Sequence, residues 1–376
     1  MFRHRLHQPS AVQGPPTTGI DVPNNSCRGI FPKHQTQPSA PHGNITNSEP
    51  RSIRVPDNRK QKMATTAKTV VATGASSGLG FHVIKHLLSQ SSQPYNFILG
   101  ARDVPRTQNA YQAAFPALSP SGSMDPHSLE ILPLELSDLR TVKRFATQTL
   151  DKLGDRKIDY LLLNAGITNG AGTEKPGPGG SKWCEGLVVN HLSQHYLTHL
   201  LLPALLRSRS NTDTTGTTES RIIVVSSGAI RGVTDPSTLP KDLLAGSGKD
   251  GDTVYAESKF VQLLGAHWWR RKLKETGCKV VAVSPGLIPG TGIGRGNGML
   301  LTMEMKDAKS VEEGAQSILR AFTRDDFPKD PNRIFLTSWG EWWDTDTIGK
   351  TLDKELQDRW CHGKEEIEAE EGLRGL

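Results

Sequence analysis

"VVATGASSGLG", residues 70–80, decides how this chain is read. Two valines run into a cluster of three glycines and two serines, and an apolar helical pattern follows. A strand, a flexible turn and a helix N-terminus in direct succession form a place where a ligand can approach the backbone closely. Gly74 permits the sharp turn, Gly78 lets a pyrophosphate come near the main chain, and Gly80 allows tight helix–sheet packing. The helix start offers free N–H groups and the positive end of the helix dipole to an anion. The plain alternative, a glycine-rich turn that binds nothing, loses ground because this turn follows the first strand of an alternating chain.

That alternation runs outward from the opening stretch. "TVVAT" (69–73), "NFILG" (96–100), "LEILPLE" (129–135), "DYLLLN" (159–164), "RIIVVS" (221–226), "KVVAVS" (279–284) and "RIFLT" (333–337) read as strands. They are nearly continuous in apolar residues, as strands covered on both faces are. Helical patterns lie between them at about 78–91, 104–116, 138–153, 183–208, 254–276 and 310–324. The expected fold is α/β: one doubly wound domain with a mostly parallel seven-stranded sheet, over residues 63–376. The segments 228–252 and 287–309 follow strand C-termini and are the expected substrate loops, because ligands of open α/β sheets bind at that edge.

Composition narrows the function classes. The chain has 376 residues and a formal net charge of +6. Residues 1–62 hold nine Lys and Arg against three Asp and Glu, so the remainder is balanced. The pI near 9.1 therefore belongs to the N-terminal stretch, and the folded part lacks the clustered basic surface that nucleic acid requires. Residues 1–62 are rich in Pro, Gln, Asn, Ser and Thr and are expected to be disordered. Their basic start also fits a mitochondrial presequence, but the frequent prolines oppose the amphipathic helix such a signal needs. Four scattered cysteines, Cys27, Cys184, Cys278 and Cys361, have neither metal nor disulfide-framework spacing. They fit a reducing compartment, so a cytoplasmic protein without a membrane span or metal is expected.

The second strand ends "ILGARD". An acidic side chain at its tip would bind an adenosine ribose 2′-hydroxyl and repel a 2′-phosphate. Ala101 stands there instead and Arg102 follows, which favours NADP(H), since a guanidinium forks onto phosphate.

At this point the chain resembles the short-chain dehydrogenase/reductase family, over about residues 68–337. The resemblance rests on an ordered set: the glycine loop, "LLLNAGI" (161–167), Asn190 in "VVNHLSQHYLT" (188–198), "RIIVVSSGA" (221–229), "YAESK" (255–259) and "VSPGL" (283–287). It implies Asn190, Ser227, Tyr255 and Lys259 as the catalytic set. It further implies cofactor contacts from Gly74, Ser76, Ser77, Gly78, Leu79, Gly80, Arg102, Glu135, Asn164, Ala165, Gly166, Tyr255, Lys259, Pro285, Gly286, Ile288 and Thr291. Glu135 stands where the family more often has Asp. The spacing of Tyr255 and Lys259 puts both on one helix face, roughly 5–6 Å apart at Cβ. A lysine ammonium there is expected to favour phenolate and lower the tyrosine pKa from about 10. Tyr255 would exchange a proton with the substrate oxygen, Ser227 would hold that oxygen, and Lys259 would also bind the nicotinamide ribose. "PGLIPGTGIGR" (285–295) is similar to the PGxxxTTG form of light-dependent protochlorophyllide reductases and their relatives.

The expected activity is NADP(H)-dependent hydride transfer to or from a carbonyl/alcohol pair of a small, fairly apolar molecule. The alternatives are C=C reduction at the same site, or a non-catalytic NADP-sensing protein, which would have no use for Tyr255 and Lys259.

Other features carry bland expectations. His191, His195 and His199 lie four apart, with solvent or a subunit contact as their expected environment. Trp268 and Trp269 are placed on a possible dimer face, the chain being a monomer or homodimer. Trp339, Trp342 and Trp343 are expected to line the pocket, and Met299, Met303 and Met305 to form an apolar wall or simple packing. The acidic end after residue 363 reads as a solvated helix or tail.

Overall fold

The computed structural model describes residues 67–116, 127–208, 219–296 and 301–375. The expected disordered stretch 1–62 lies outside the described residues, as do Cys27 and Met299.

Seven strands form one parallel sheet in the order β3-β2-β1-β4-β5-β6-β7. They are β1 Lys68–Thr73, β2 Tyr95–Ala101, β3 Ser128–Pro133, β4 Tyr160–Leu163, β5 Ser220–Val225, β6 Cys278–Val283 and β7 Phe335–Leu336. Each begins within two residues of its sequence-based position. The inner strands are buried along almost their whole length, whereas the edge strand β3 is mostly exposed or half-buried. This contrast is what a sheet with helices on both faces and one bare edge produces.

Three helices, α1 Gly78–Leu88, α2 Val104–Ala114 and α3 Leu139–Leu153, follow the first three strands. Asp103 and Asp138 cap α2 and α3 by accepting backbone N–H bonds from Arg106 and Arg140. The helix Ser193–Leu205 is entered through a π-helical turn at Val188–Leu192, and the long helix Gly251–Lys272 carries Tyr255 and Lys259. The helix Val311–Thr323 begins with a capping box between Ser310 and Glu313.

Two apolar cores, one on each face, bracket the sheet. The chain order reverses between β1 and β4, so the loops after these strands part and leave a crevice at their C-terminal ends.

The C-terminal segment departs from the sequence-based expectation. Helices Lys354–Trp360 and Lys364–Glu370 pack onto the two long helices, and Trp360, Ile367 and Leu373 are buried in the core. The acidic end is therefore docked. Its charges find partners on the body of the protein: Glu368 accepts from the Tyr196 hydroxyl at 2.7 Å and pairs with Lys143, while Glu370 pairs with Lys182.

The same docking corrects two further expectations. Trp268 and Trp269 are buried inside this chain, donating to Asp358 Oδ1 and His195 Nδ1, both at 3.0 Å. His191 and His195 are buried rather than solvated. His191 Nε2 lies 3.0 Å from the Trp360 carbonyl, and the Nε2 atoms of His195 and His199 both reach the His362 carbonyl. Because His195 Nδ1 accepts from Trp269, its proton sits on Nε2 and points at that carbonyl. Burial holds all three imidazoles below their ordinary pKa, His191 at about 4.

Candidate active site

A cleft of about 1240 Å³ opens at the C-terminal ends of β1, β2, β4, β5 and β6. The glycine loop forms its floor. Gly74, Gly78 and Gly286 have φ of +64°, +56° and +99°, a region costly for any residue with a side chain. A Cβ at Gly80 would stand 2.3 Å from the Gly74 carbonyl oxygen, and one at Gly74 would stand 2.7 Å from the Ala165 backbone. At Gly78 the nearest atom to such a carbon is the Thr291 methyl, at 3.7 Å. Gly74 and Gly80 are thus demanded by packing, whereas Gly78 faces open cleft. Ser77 caps α1 without a side-chain hydrogen bond, and the first turn holds no acid. The N–H groups there remain available to an anion, so the loop fits a pyrophosphate.

The neighbouring strand ends brace this floor. Asn164 donates to the Gly74 carbonyl at 2.8 Å, and the Thr73 hydroxyl accepts from the backbone N–H groups of Asn164 and Ala165. Gln194 accepts from Thr73 and donates to the Ala165 carbonyl. Arg102 is exposed at the cleft rim beside buried Ala101. Asp103 does not compete for it, because its carboxylate caps α2. Glu135 lines the cleft and accepts from the Ser137 N–H at 3.0 Å.

Ser76, Leu79, Gly166, Pro285, Ile288 and Thr291 also line the cleft, whereas Gly80, predicted to contact the cofactor, lies outside the lining and packs on Gly74 and Asn164. A Cβ at Gly166 would crowd Lys259 Nζ at 3.2 Å, so this glycine makes room for the ammonium. The Thr291 hydroxyl donates to the Ile288 carbonyl at 3.1 Å, which folds the 287–296 segment over the floor.

Ser227, Tyr255 and Lys259 converge on the same cleft. The Ser227 hydroxyl stands beside the Tyr255 side chain and acts on its phenol. The Ser227 hydroxyl also accepts from the Ala229 N–H at 3.1 Å, which orients its oxygen. Lys259 Nζ lies 5.9 Å from the Tyr255 ring centre and donates to the Val225 carbonyl at 2.9 Å and to Gln262 Oε1 at 3.1 Å.

The electrostatics differ from expectation. Burial pushes the Tyr255 phenol up, and the neighbouring Ser227 hydroxyl offsets part of that rise. Burial also brings the Lys259 pKa down to about 7, which leaves its charge weak near neutral pH.

Asn190 sits in the π-helical turn and is fully buried. Its side-chain oxygen accepts from the Ile167 N–H at 2.8 Å, and its amide donates to the Ile167 carbonyl and the Ser258 hydroxyl. It thereby ties the strand end carrying Gly166 to the helix carrying Lys259.

Gln262 escaped the sequence reading. Its only sequence signal is an amide three residues after Lys259 in an apolar stretch. Trp339 and Trp343 line the cleft as expected, but Trp342 packs on Phe327 outside it. Met303 and Met305 are exposed and outside the lining, so the methionine wall is not formed by them.

The family model for short chain dehydrogenases matches residues 68–232. A short-chain dehydrogenase/reductase of Pestalotiopsis microspora is 54% identical over 310 residues, which cover 81% of this chain and 99% of that protein. An oxidoreductase of Penicillium decumbens is 32% identical over 61% of this chain and 60% of its own length. Among solved structures, NADPH-bound carbonyl reductase from chicken fatty liver superposes with a TM-score of 0.55 at 24% identity, over 74% of this chain and 94% of that one. The carbonyl reductase Sniffer of Caenorhabditis elegans superposes with a TM-score of 0.51 at 20% identity, over 74% and 100%. With the sequence likeness running almost the full length of the Pestalotiopsis protein, this chain belongs to the short-chain dehydrogenase/reductase family of oxidoreductases.

Proposed function

We propose that the protein is an NADP(H)-dependent reductase acting on a carbonyl/alcohol pair of a small, fairly apolar molecule. The observation that carries this reading is the convergence of Ser227, Tyr255 and Lys259 on one cleft whose floor is an uncapped helix N-terminus. The bound nicotinamide supplies or takes the hydride. Arg102 would hold the ribose phosphate, the N–H groups at the start of α1 would hold the pyrophosphate, and Lys259 would hold the nicotinamide ribose.

In the reducing direction Ser227 donates a hydrogen bond to the substrate oxygen and fixes its position. Tyr255 transfers its proton to that oxygen as negative charge develops on it. Burial keeps the phenol protonated at neutral pH, which suits it to the donor's role. In the oxidising direction it must first lose that proton, and the positive charge of the oxidised nicotinamide favours the loss.

The Tyr255→Phe variant tests the assignment. NADPH-dependent turnover of ketones or aldehydes is expected to fall about 100-fold or more, with NADPH binding retained. Unchanged turnover overturns the role of Tyr255. Turnover of enones with ketones left untouched would move the reaction to C=C reduction.

A further inference from the structure

The cleft rim next to Ser227 carries a cation that the proposed reaction does not use. The short helical turn Gly228–Gly232 starts at Ser227 and brings Arg231 back over its own beginning: Arg231 Nε donates to the Gly228 carbonyl at 3.1 Å. The guanidinium carbon lies 5.3 Å from the Trp343 ring centre. Both groups touch Gly228, the residue after Ser227. A Cβ there would stand 3.6 Å from Arg231 Nη2 and 3.8 Å from Trp343 Cζ2. The indole of Trp343 is in turn stacked on buried Phe335 of β7, at 5.5 Å and 15°. This fixes the platform on the sheet itself.

The guanidinium is exposed and lines the cleft. Among the described residues its partners are the Gly228 carbonyl and the Trp343 ring, and no carboxylate pairs with it. Among the other carboxylates lining the cleft, Glu135 accepts from the Ser137 N–H, Glu185 from Asn169, and Glu313 is held in the Ser310 capping box. Trp339, 60% exposed, stands 6.5 Å from Trp343 and extends the aromatic surface outward. An exposed indole beside a second one is a surface that a flat ligand can cover. A guanidinium held by one N–H and one ring face still presents its remaining donors as a fork suited to a carboxylate.

We propose that Arg231 and Trp343 form an anion subsite, so that the substrates are planar, conjugated carbonyl compounds bearing a carboxylate. This rests on the reductase reading for the position of the carbonyl, at Ser227 and Tyr255. The carboxylate pairs with Arg231, the conjugated plane lies along Trp343 and Trp339, and the carbonyl reaches Ser227.

Binding and turnover test the two readings separately. Quenching of tryptophan fluorescence by 2-naphthoate and by its methyl ester, in the presence of NADP⁺, reads the subsite without any reaction. The acid is expected to bind about 10–100-fold more tightly than the ester, as a charge-assisted hydrogen bond supplies. Arg231→Met is expected to bring the ratio near one with ester affinity kept, and Arg231→Lys to retain part of it. Equal binding of acid and ester by the native protein overturns the subsite, as does an unchanged ratio in Arg231→Met. Turnover of the 2-, 3- and 4-carboxybenzaldehydes against their methyl esters follows separately. Reduction of the esters but no preference for any acid counts against the subsite alone, whereas acid-selective binding with no aldehyde reduced counts against the reductase reading alone.

Discussion

Lys259 Nζ lies 3.1 Å from Gln262 Oε1, one helical turn along, and both side chains are closed to solvent. The amide oxygen and the Val225 carbonyl are the two dipoles that stabilise the ammonium against burial. Replacing Gln262 by Leu removes one of them, so the lysine pKa should fall further below about 7. The alkaline limb of kcat/KM is expected to move to lower pH, with turnover at pH 7.5 down about 3- to 10-fold. Gln262→Glu should move the limb to higher pH. A pH–rate profile identical to that of the native protein would remove Gln262 from this role.

Arg102 and Asp103 stand side by side, and the arginine is left free to meet a phosphate because the Asp103 carboxylate is engaged in capping α2. Arg102→Ala is expected to weaken NADPH about 10- to 100-fold and leave NADH nearly unchanged, as loss of a charge-assisted contact predicts. Titration with both dinucleotides decides, and equal losses exclude the assignment.

The glycines of the loop should separate by role. In Gly80→Ala the new carbon would meet the Gly74 carbonyl at 2.3 Å, so a loss of stability of about 1–3 kcal/mol or more is expected. Gly78→Ala meets no close atom but must adopt φ +56°, at a cost of about 1 kcal/mol. It projects a methyl group into the cleft floor, and dinucleotide affinity should fall well beyond the stability change. Urea melts and cofactor titration of both variants check the contrast.

The C-terminal segment should be required for stability. Removal of residues 353–376 strips Trp360, Ile367 and Leu373 from the core and uncovers Trp268 and Trp269. Each large side chain contributes about 1.5–3 kcal/mol through burial, so a loss of several kcal/mol and a tendency to aggregate are expected. Leu373→Ala alone should cost about 2–5 kcal/mol. A truncated chain melting at the native temperature would contradict the docking.

Acid should release that segment. His191, at about 4, and His195, held well below its ordinary value by burial, are neutral when folded near neutral pH. Unfolded histidines take up protons near pH 6.5. The unfolded state therefore binds more protons below that point. The stability these groups contribute is complete above about pH 6.5 and is lost as pH falls from there towards 4. At pH 5 the loss is about 2 kcal/mol for His191, and His195 acts in the same direction. Urea midpoints at pH 7.5 and 5.0 measure it, and His191→Phe should flatten the difference.

Much of this protein was decided by local sequence. Short apolar runs alternating with helical periods are signals within a single element, and they placed all seven strands. The glycine loop and the Tyr255–Lys259 spacing are equally local, because a turn needing positive φ and two side chains one helical turn apart are set within five residues.

What tertiary structure alone decided lies in contacts distant in sequence. The stretch after residue 363 reads as solvated because its apolar residues are isolated among charges. The surface that receives Ile367 and Leu373 is built by helices more than 90 residues away. The three histidines look like a polar stripe until Trp360 and His362 bring their carbonyls to them. The pKa order of Tyr255 and Lys259 follows from how deeply the sheet and helix enclose them, and enclosure is a property of the packed chain that no spacing encodes.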